Sequence, residues 1–269
     1  MTNTENLKKN SNYLENPYTQ VLKGFFIQFA ELTLFTLRFF KELVKPPYEF
    51  NEIVKQSYLI GYKSVPLVAI TGLIMGLVLT IQSRPTLAVF GAESWLPSMV
   101  SVSIIREIGP VITALIFAGK VGSGIGAELA SMKVTEQIDA MEVSGINPFK
   151  YLVVTRIAAT TLMLPLLVVL ADGVSLFGGY IGVNLKGDIS SHLFILQAFE
   201  QLSFADVIPA VTKTFFFGFA IGLIGCYKGY NSNNGTEGVG QSANYAVVLG
   251  SLSVFIIDLI AVQLTSLIF

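Results

Sequence analysis

The chain has 269 residues, of which 52% are hydrophobic and 13% are charged. A typical soluble domain has about 25% charged residues, so this composition favours a membrane protein over a soluble enzyme. The formal net charge of -1 gives no general attraction to nucleic acid. Cys226 is the single cysteine and His192 the single histidine. An intrachain disulfide is therefore excluded, and we predict no metal site.

Residues 1–19 are polar, and we predict that they form a cytoplasmic tail. Residues 20–47 differ, because apolar side chains recur there at helical spacing while charged residues fall mostly on the other side. Pro46 and Pro47 end the pattern. We predict an amphipathic helix that lies in the membrane interface. An amphipathic helix packed on protein is the alternative. The apolar positions are Leu22, Phe25, Phe26, Phe29, Leu32, Phe39, Phe40 and Leu43.

Five long apolar segments follow, and a bilayer core needs roughly 20 apolar residues per helix. They are continuous apolar runs, which indicates helices and not the alternating strands of a membrane barrel. The fold class that we predict is therefore an all-α membrane protein with five transmembrane helices. The segments are residues 58–81, 95–117, 157–183, 207–227 and 245–269.

The distribution of basic residues predicts the orientation of these helices. If the N-terminus is cytoplasmic, only Arg84 and Lys186 fall in outer loops, Arg106 and Lys213 lie inside segments, and the remaining Lys and Arg residues are on the inner side. Cytoplasmic loops are enriched in Lys and Arg. We predict a cytoplasmic N-terminus and a periplasmic C-terminus. The apolar outer stretch 184–206 is predicted to form a short helix on the outer face.

Small residues occur in two kinds of pattern. The run Gly122-Ser-Gly124-Ile-Gly126 has neither a preceding strand nor a Gly-Lys-Ser/Thr end. It is therefore not a phosphate-binding loop, and we predict close helix packing or a flexible break there. The chain shows no ATP site of its own. Pairs of glycines four residues apart predict close helix–helix contacts at Gly72/Gly76, Gly178/Gly182 and Gly218/Gly222.

Charged residues interrupt the apolar segments. Arg106 and Glu107 lie in the second segment, where each charge costs at least ~2.5 kcal/mol on insertion scales. Neighbours in sequence cannot share one helical face, so each needs its own partner or a wet cavity. In the alternative, the segment starts later, and Gly109-Pro110 suggests a break. For the lone charges Asp172, Lys213 and Asp258, pairing between helices and a transport role both remain open.

A charged inner segment, residues 128–142, lies between the second and third apolar segments and ends near Gly145 and Pro148. It reads as a short helix with acidic residues on one face and Val134, Ile138 and Met141 on another. Such a helix is suited to a groove on a partner protein. Spacing alone leaves a solvated charged loop equally open.

Three stretches together resemble the MlaE permease family of ABC transporters, which handle phospholipids. They are residues 105–111 (Ile-Arg-Glu-Ile-Gly-Pro-Val), 117–123 (Phe-Ala-Gly-Lys-Val-Gly-Ser) and 127–142, followed by Asn147-Pro148 at the family's distance. The resemblance covers about residues 55–265, and it identifies residues 55–269 as the permease domain. The segment Thr135-Glu136-Gln137-Ile138-Asp139 carries most of its specificity.

The resemblance implies several properties. Two permease chains form a homodimer around a lipid cavity in the inner membrane, and an MCE-domain protein sits on the outer side. A cytoplasmic ATPase dimer binds the ATP and Mg, so this chain has no cofactor and no catalytic residues. That ATPase docks on a coupling helix at about 128–142, with the predicted contacts Glu128, Lys133, Thr135, Glu136, Gln137, Asp139 and Glu142.

The same resemblance underlies our prediction of the lipid cavity, which we expect the first, second and fifth segments to wall. Arg106 is expected to attract a phosphate, because a guanidinium suits phosphate oxygens, with Glu107 beside it. The acyl chains are expected to contact Leu73, Leu77, Leu79, Leu87 and Phe90. The alternative function is a passive membrane scaffold or channel. An intramembrane enzyme is disfavoured, since no Ser/His or paired-Asp constellation is evident in the sequence.

Overall fold

The computed structural model describes residues 17–185, 187, 189–232 and 235–268. Residues 1–16 of the predicted tail lie outside the described residues. The chain divides into two compact units, Met1–Pro46 and Pro47–Phe269. Every regular element among the described residues is a helix, which agrees with the all-α prediction.

The described part of the first unit is one helix, α1 (Pro17–Val44). It begins within the predicted tail, three positions before residue 20, and ends before Pro46. The hydroxyls of Thr33 and Thr36 donate to the carbonyls four residues earlier, so these polar side chains do not interrupt the helix. Several large apolar side chains of α1 are exposed, Phe26 and Phe29 among them. The position of α1 in the membrane interface stays a prediction.

The described residues of the second unit contain five helical stretches that are long and apolar enough to cross a membrane, which confirms the predicted number. The first span comprises α2 (Phe50–Tyr62) and α3 (Val65–Val89). The second is built from a 3₁₀ turn (Glu93–Trp95), α4 (Leu96–Ser103), α5 (Gly109–Phe117) and α6 (Ser123–Val134). The π-helical turns Ile104–Ile108 and Ala118–Gly122 join these helices without a break.

The rest of the unit follows in chain order. Helix α7 (Gln137–Val143) is short, and the third span is a π-helical turn (Phe149–Val154) continued by α8 (Thr155–Asn184). Helix α9 (Ser191–Glu200) is the short helix predicted between the third and fourth segments. Helices α10 (Phe204–Tyr230) and α11 (Thr236–Ile268) are the fourth and fifth spans.

Two boundaries differ from the predictions. The second span continues to Val134, so the glycine run at 122–126 lies inside a helix and is not a flexible break. The predicted coupling helix at 128–142 is two helices, because α6 ends at Val134 and α7 begins at Gln137. Glu136 between them has a positive φ of 56°, which a continuous helix cannot contain.

The glycine pairs pack as their spacing predicts. A Cβ on Gly76 would collide with the backbone of Ser175 in α8, and one on Gly178 would collide with the Leu73 carbonyl in α3. Nearer the start of α8, a Cβ on Gly218 in α10 would meet the backbone of Thr160. Helix α8 is therefore the central helix, held at backbone contact between α3 and α10.

A buried apolar cluster joins α4, α8 and α9 at the end of the bundle where α9 lies. Leu79 and Leu87 of α3 pack against it. The hydroxyl of Ser98 donates to the carbonyl of Gln197, which ties α4 to α9. The cluster fixes α9 against the second and third spans, and its buried members are Leu96, Val100, Ile104, Val183, Phe194 and Ala198.

Candidate functional site

The π-helical turn at Ile104–Ile108 sets the direction of the Arg106 and Glu107 side chains. Pro110 has no N–H, so it cannot donate to the carbonyl of Arg106 as a regular helix requires. The N–H of Gly109 instead donates to the carbonyl of Ile104, five residues earlier. The wider turn absorbs the proline, and the span does not break at Gly109-Pro110 as the alternative supposed. Such turns are frequently found at functional sites.

Arg106 is directed toward the start of α10. Its guanidinium lies 3.3 Å from a carboxylate oxygen of Asp206, and 53% of its side chain is exposed. Asp206 is itself held in place, because its other oxygen accepts hydrogen bonds from the N–H (3.1 Å) and the hydroxyl (2.9 Å) of Ser203. These contacts form a capping box at the N-terminus of α10. The helix start thus positions the carboxylate that receives Arg106.

Glu107 is directed to a different residue of α10. The ammonium of Lys213 donates to Glu107 at 2.7 Å and to Asp258 of α11 at 2.8 Å. The side chain of Lys213 is 4% exposed, whereas those of Glu107 and Asp258 are 39% and 19% exposed. Of the two alternatives left open for Lys213 and Asp258, the structure contains the pairing between helices, and Lys213 links the second, fourth and fifth spans. Each member of the Arg106–Glu107 pair has its own partner, as their adjacency requires.

These charges border an open cavity of about 440 Å³ between the second, fourth and fifth spans. Two basic and two acidic side chains line it, so charges of both signs face this space between the spans. Among the described residues, no cluster of His, Cys, Asp and Glu could hold a metal ion. The cavity is thus suited to binding a polar or charged group. Its lining consists of Arg106, Glu107, Ala205, Asp206, Pro209, Ala210, Lys213, Ala261, Val262, Thr265 and Ser266.

The predicted acyl-chain residues of α3 do not line this cavity within the described part of the chain. Leu79 and Leu87 pack on the cluster that joins α4, α8 and α9, while Phe90 is exposed. The carbonyls of Leu73 and Leu77 lie against Gly178 and Gly182 of α8. In the single chain the first span therefore does not line the cavity that contains Arg106, and its place in a cavity enclosed by two chains stays a prediction. The glycine face of α3 packs on α8. Helix α10 lines the charged cavity at the position where the first span was expected.

Sequence reasoning missed Asp206, Thr265 and Ser266 in this cavity. Ser203 and Asp206 carry the spacing of a capping box, so the start of α10 was open to prediction. The contact of Asp206 with Arg106 had no such signal, because it depends on how two distant helices pack.

The predicted ATPase-coupling segment comprises the end of α6, most of α7 and the turn between them. Glu136 adopts a left-handed conformation, and the ammonium of Lys133 bridges the turn to Asp139 at 3.0 Å. Ile138 is buried and anchors α7 on the bundle. At the end of α6, the hydroxyl of Thr135 donates to the carbonyl of Ser131.

The structure separates the predicted coupling residues into two groups. Glu128 of α6 is 56% exposed, and it pairs at 2.9 Å with the buried Arg156 of the third span. Glu136, Gln137, Asp139 and Glu142 are exposed on α7 and the turn before it. Sequence reasoning missed Val143, which is 91% exposed directly after them. We call these five residues the α7 surface.

Comparison with known proteins identifies the family to which this chain belongs. The model of the Permease MlaE family matches residues 53–264. A probable ABC transporter permease protein of Rickettsia typhi is 38% identical over 242 residues, covering 88% of this chain and 93% of that protein. The intermembrane phospholipid transport system permease protein MlaE of Haemophilus influenzae is 35% identical over 213 residues, or 78% and 81% of the two chains. With matches of this length over all five spans, the chain belongs to the MlaE permease family and is the membrane-spanning permease subunit of an ABC transporter.

Proposed function

We propose that this permease moves phospholipids between the inner membrane and a conduit formed by an MCE-domain protein, driven by a partner ATPase. The observation that carries the proposal is the charged cavity between the second, fourth and fifth spans. Its charged groups belong to helices long and apolar enough to span a membrane, where a charge without a function is costly. The similarity to the Haemophilus influenzae protein, whose name specifies intermembrane phospholipid transport, supports this substrate class.

Arg106 is the group that we assign to the headgroup phosphate. Its guanidinium is half exposed and held at 3.3 Å from Asp206, so it is oriented before a ligand arrives. Guanidinium–phosphate contacts are charge-assisted and can be bidentate. Glu107 is partly exposed at the same cavity and can accept a hydrogen bond from a cationic headgroup. A zwitterionic phospholipid therefore complements the pair better than an anionic one.

The orientation follows from the basic residues of the loops. With the N-terminus inside, α7 and the turn before it face the cytoplasm, and the N-terminus of α10 faces the periplasm. The α7 surface is then available to the ATPase dimer, and the cavity opens toward the MCE-domain protein. A homodimer would bring two such cavities together. A passive scaffold or channel would need no ATPase at the α7 surface, so lipid transfer that continues without ATP would favour that alternative.

The headgroup assignment is tested by measuring the phospholipid that copurifies with the complex, by mass spectrometry. Hydrogen bonds to charged groups contribute about 1.5–3 kcal/mol, so Arg106→Ala is expected to reduce bound phospholipid roughly tenfold or more. Arg84→Ala is the control, because Arg84 bonds the carbonyl of Val183 and does not line the cavity. Full retention of phospholipid by Arg106→Ala would refute the assignment.

The docking assignment is tested with substitutions on the α7 surface. Glu136→Ala combined with Asp139→Ala, and separately Val143→Asp, are expected to abolish copurification of the ATPase and lipid-dependent ATP hydrolysis. Val143 is almost fully exposed, so its substitution leaves the fold intact. Glu237→Ala, in the first turn of α11, is the control, since it removes an acid on the same predicted side of the membrane. Unchanged assembly and unchanged ATPase activity would contradict ATPase docking at this surface.

A further inference from the structure

Two lysines from different spans meet at the junction between α2 and α3. The ammonium of Lys120, in the π-helical turn Ala118–Gly122, donates to the carbonyl of Lys63, the residue that follows α2. A cation is favourable at the C-terminus of a helix, so this contact holds Lys120 at the end of α2. Both lysine side chains are exposed. Because Lys63 has a long flexible side chain that starts at the same junction, both ammonium groups can reach one ligand.

Neither ammonium has an anionic partner among the described residues. Within that part of the chain, Lys63 forms no side-chain hydrogen bond or ion pair, and Lys120 contacts the neutral carbonyl of Lys63. The nearest acids along α2 and α6 have other partners, since Glu52 hydrogen-bonds within α2 and to the third span, and Glu128 pairs with Arg156. An ammonium has three N–H donors, so most of the donors of this lysine pair are available to an anion.

The level of these lysines along the bundle is that of a membrane surface. Gly61, two positions before Lys63, lies against Met163 of α8, and Arg84 near the other end of α3 donates to the carbonyl of Val183. About 20 residues of α8 separate these two contacts, which at 1.5 Å per residue is about 30 Å. The hydrocarbon core of a bilayer is about 30 Å thick. Lys63 and Arg84 are therefore spaced as residues at the two surfaces of one bilayer.

Two tyrosines of α2 lie beside the junction. The rings of Tyr58 and Tyr62 stack with their centroids 5.2 Å apart, and the two residues are 59% and 65% exposed. Tyrosine is enriched at membrane–water interfaces, because its ring is apolar and its hydroxyl is polar. The pair thus suits the headgroup layer of a bilayer. We call Tyr58, Tyr62, Lys63 and Lys120 the lysine–tyrosine surface.

Charge complementarity distinguishes the occupants of this surface. In a two-fold symmetric dimer built on it, the same patch of the second copy would face it. Two pairs of lysines would then meet, and like charges repel each other. A lipid that carries a net negative charge supplies the anion that both lysines lack among the described residues.

We propose that the lysine–tyrosine surface binds an anionic phospholipid, with the ammonium groups of Lys63 and Lys120 donating to its phosphate oxygens. Phosphatidylglycerol has the required net charge, whereas the choline of phosphatidylcholine neutralises its phosphate. With the orientation proposed above, the bound lipid belongs to the cytoplasmic leaflet. The site is separate from the charged cavity, because its four residues are not among those that line the cavity in the described part of the chain. It does not depend on which lipid is transported.

The test uses the permease–ATPase complex in phosphatidylcholine nanodiscs that contain a small fraction of phosphatidylglycerol with a photoactivatable diazirine near its headgroup. After illumination, the labelled residues are mapped by mass spectrometry, and we expect labelling at Tyr58 and Tyr62. A lysine near an anionic lipid strengthens binding roughly fivefold. Lys63→Gln is therefore expected to reduce labelling roughly fivefold, and Lys63→Gln with Lys120→Gln roughly 25-fold.

Three variants separate this site from other effects of charge. Lys55→Gln is the matched control, because Lys55 is an exposed lysine of α2 that pairs with Glu52 and lies about 12 Å along the helix from Lys63, and labelling should stay unchanged. Lys63→Gln alone removes no printed contact of its side chain within the described chain, so its effect does not come from a changed fold. Arg106→Ala should also leave labelling unchanged, which distinguishes this site from the charged cavity.

Four results would overturn the proposal. The first is wild-type labelling in the double lysine variant. The second is equal labelling by phosphatidylcholine that carries the same diazirine, since the site would then ignore net charge. The third is loss of labelling in millimolar inorganic phosphate at constant ionic strength, which would assign the lysines to a soluble phosphate. The fourth is a disulfide-linked dimer of Lys63→Cys, which would identify a second copy as the occupant, since the native Cys226 is buried.

Discussion

Removing Lys213 tests the electrostatic reasoning most directly. Lys213 is buried and neutralises two carboxylates, Glu107 and Asp258, from two other spans. Replacing it with methionine keeps most of its volume and leaves both acids without their cation. Loss of one partner of a buried ion pair costs about 3–5 kcal/mol. Because 39% of Glu107 and 19% of Asp258 are exposed, solvent stabilises part of the remaining charge, and we expect about 2–3 kcal/mol for Lys213→Met.

The measured quantity is the free energy of unfolding in detergent, with the near-ultraviolet signal of tertiary structure as the probe. A second variant, Lys213→Met with Asp258→Asn, removes the charge of the more buried carboxylate and should recover about half of the loss. The coupling between the two substitutions is the quantity that the structure predicts, since they share one salt bridge. Wild-type stability in Lys213→Met, or strictly additive losses in the double variant, would refute the reasoning.

Three smaller predictions follow from individual contacts. Gly178→Leu is expected to destabilise the chain by at least about 1–3 kcal/mol in thermal unfolding, because its side chain would collide with the Leu73 carbonyl; a wild-type midpoint would contradict backbone contact there. Glu136→Gly is expected to raise stability by about 0.5–1 kcal/mol, since the left-handed conformation strains every residue but glycine; a lower unfolding midpoint would argue against that conformation. Tyr151→Phe removes a 3.1 Å hydrogen bond to Glu52 and should cost about 1 kcal/mol in the same assay, and no loss would mean that the bond contributes nothing.

The sequence was sufficient for features that depend on local chemistry. The number of spans followed from the length of apolar runs, and the glycine pairs marked the faces on which α3, α8 and α10 meet. The need of Arg106 and Glu107 for separate partners followed from helical geometry alone. These inferences held because desolvation and side-chain direction are properties of a single helix.

Features that depend on how helices pack against one another were not predictable. Nothing in the segment around Asp206 indicates that its carboxylate lies 3.3 Å from Arg106, and sequence reasoning missed it. The turn at Glu136 could not be predicted from the sequence for a similar reason. Its residues have ordinary helical propensity, and burial of Ile138 against the bundle fixes α7 in its own direction.

The architecture of the second span bears on how the α7 surface and the charged cavity can act together. One uninterrupted helical span, Glu93–Val134, carries Arg106 and Glu107, and the Lys133–Asp139 bridge ties α7 to its end. At 1.5 Å per residue, the distance from Arg106 to Val134 along the helix is about 40 Å. A continuous helical span of that length can transmit a displacement along its axis without local unfolding.

The two π-helical turns are the positions at which this helical span can bend. Hydrogen bonds are rearranged at such turns, so bending there disturbs the fewest regular contacts. One turn holds the charged pair, and the other, Ala118–Gly122, contains Lys120, whose ammonium donates to the Lys63 carbonyl between α2 and α3. A displacement of α7 is therefore expected to reach the cavity as a rotation about these turns, and the Lys120 contact would carry it to the junction within the first span.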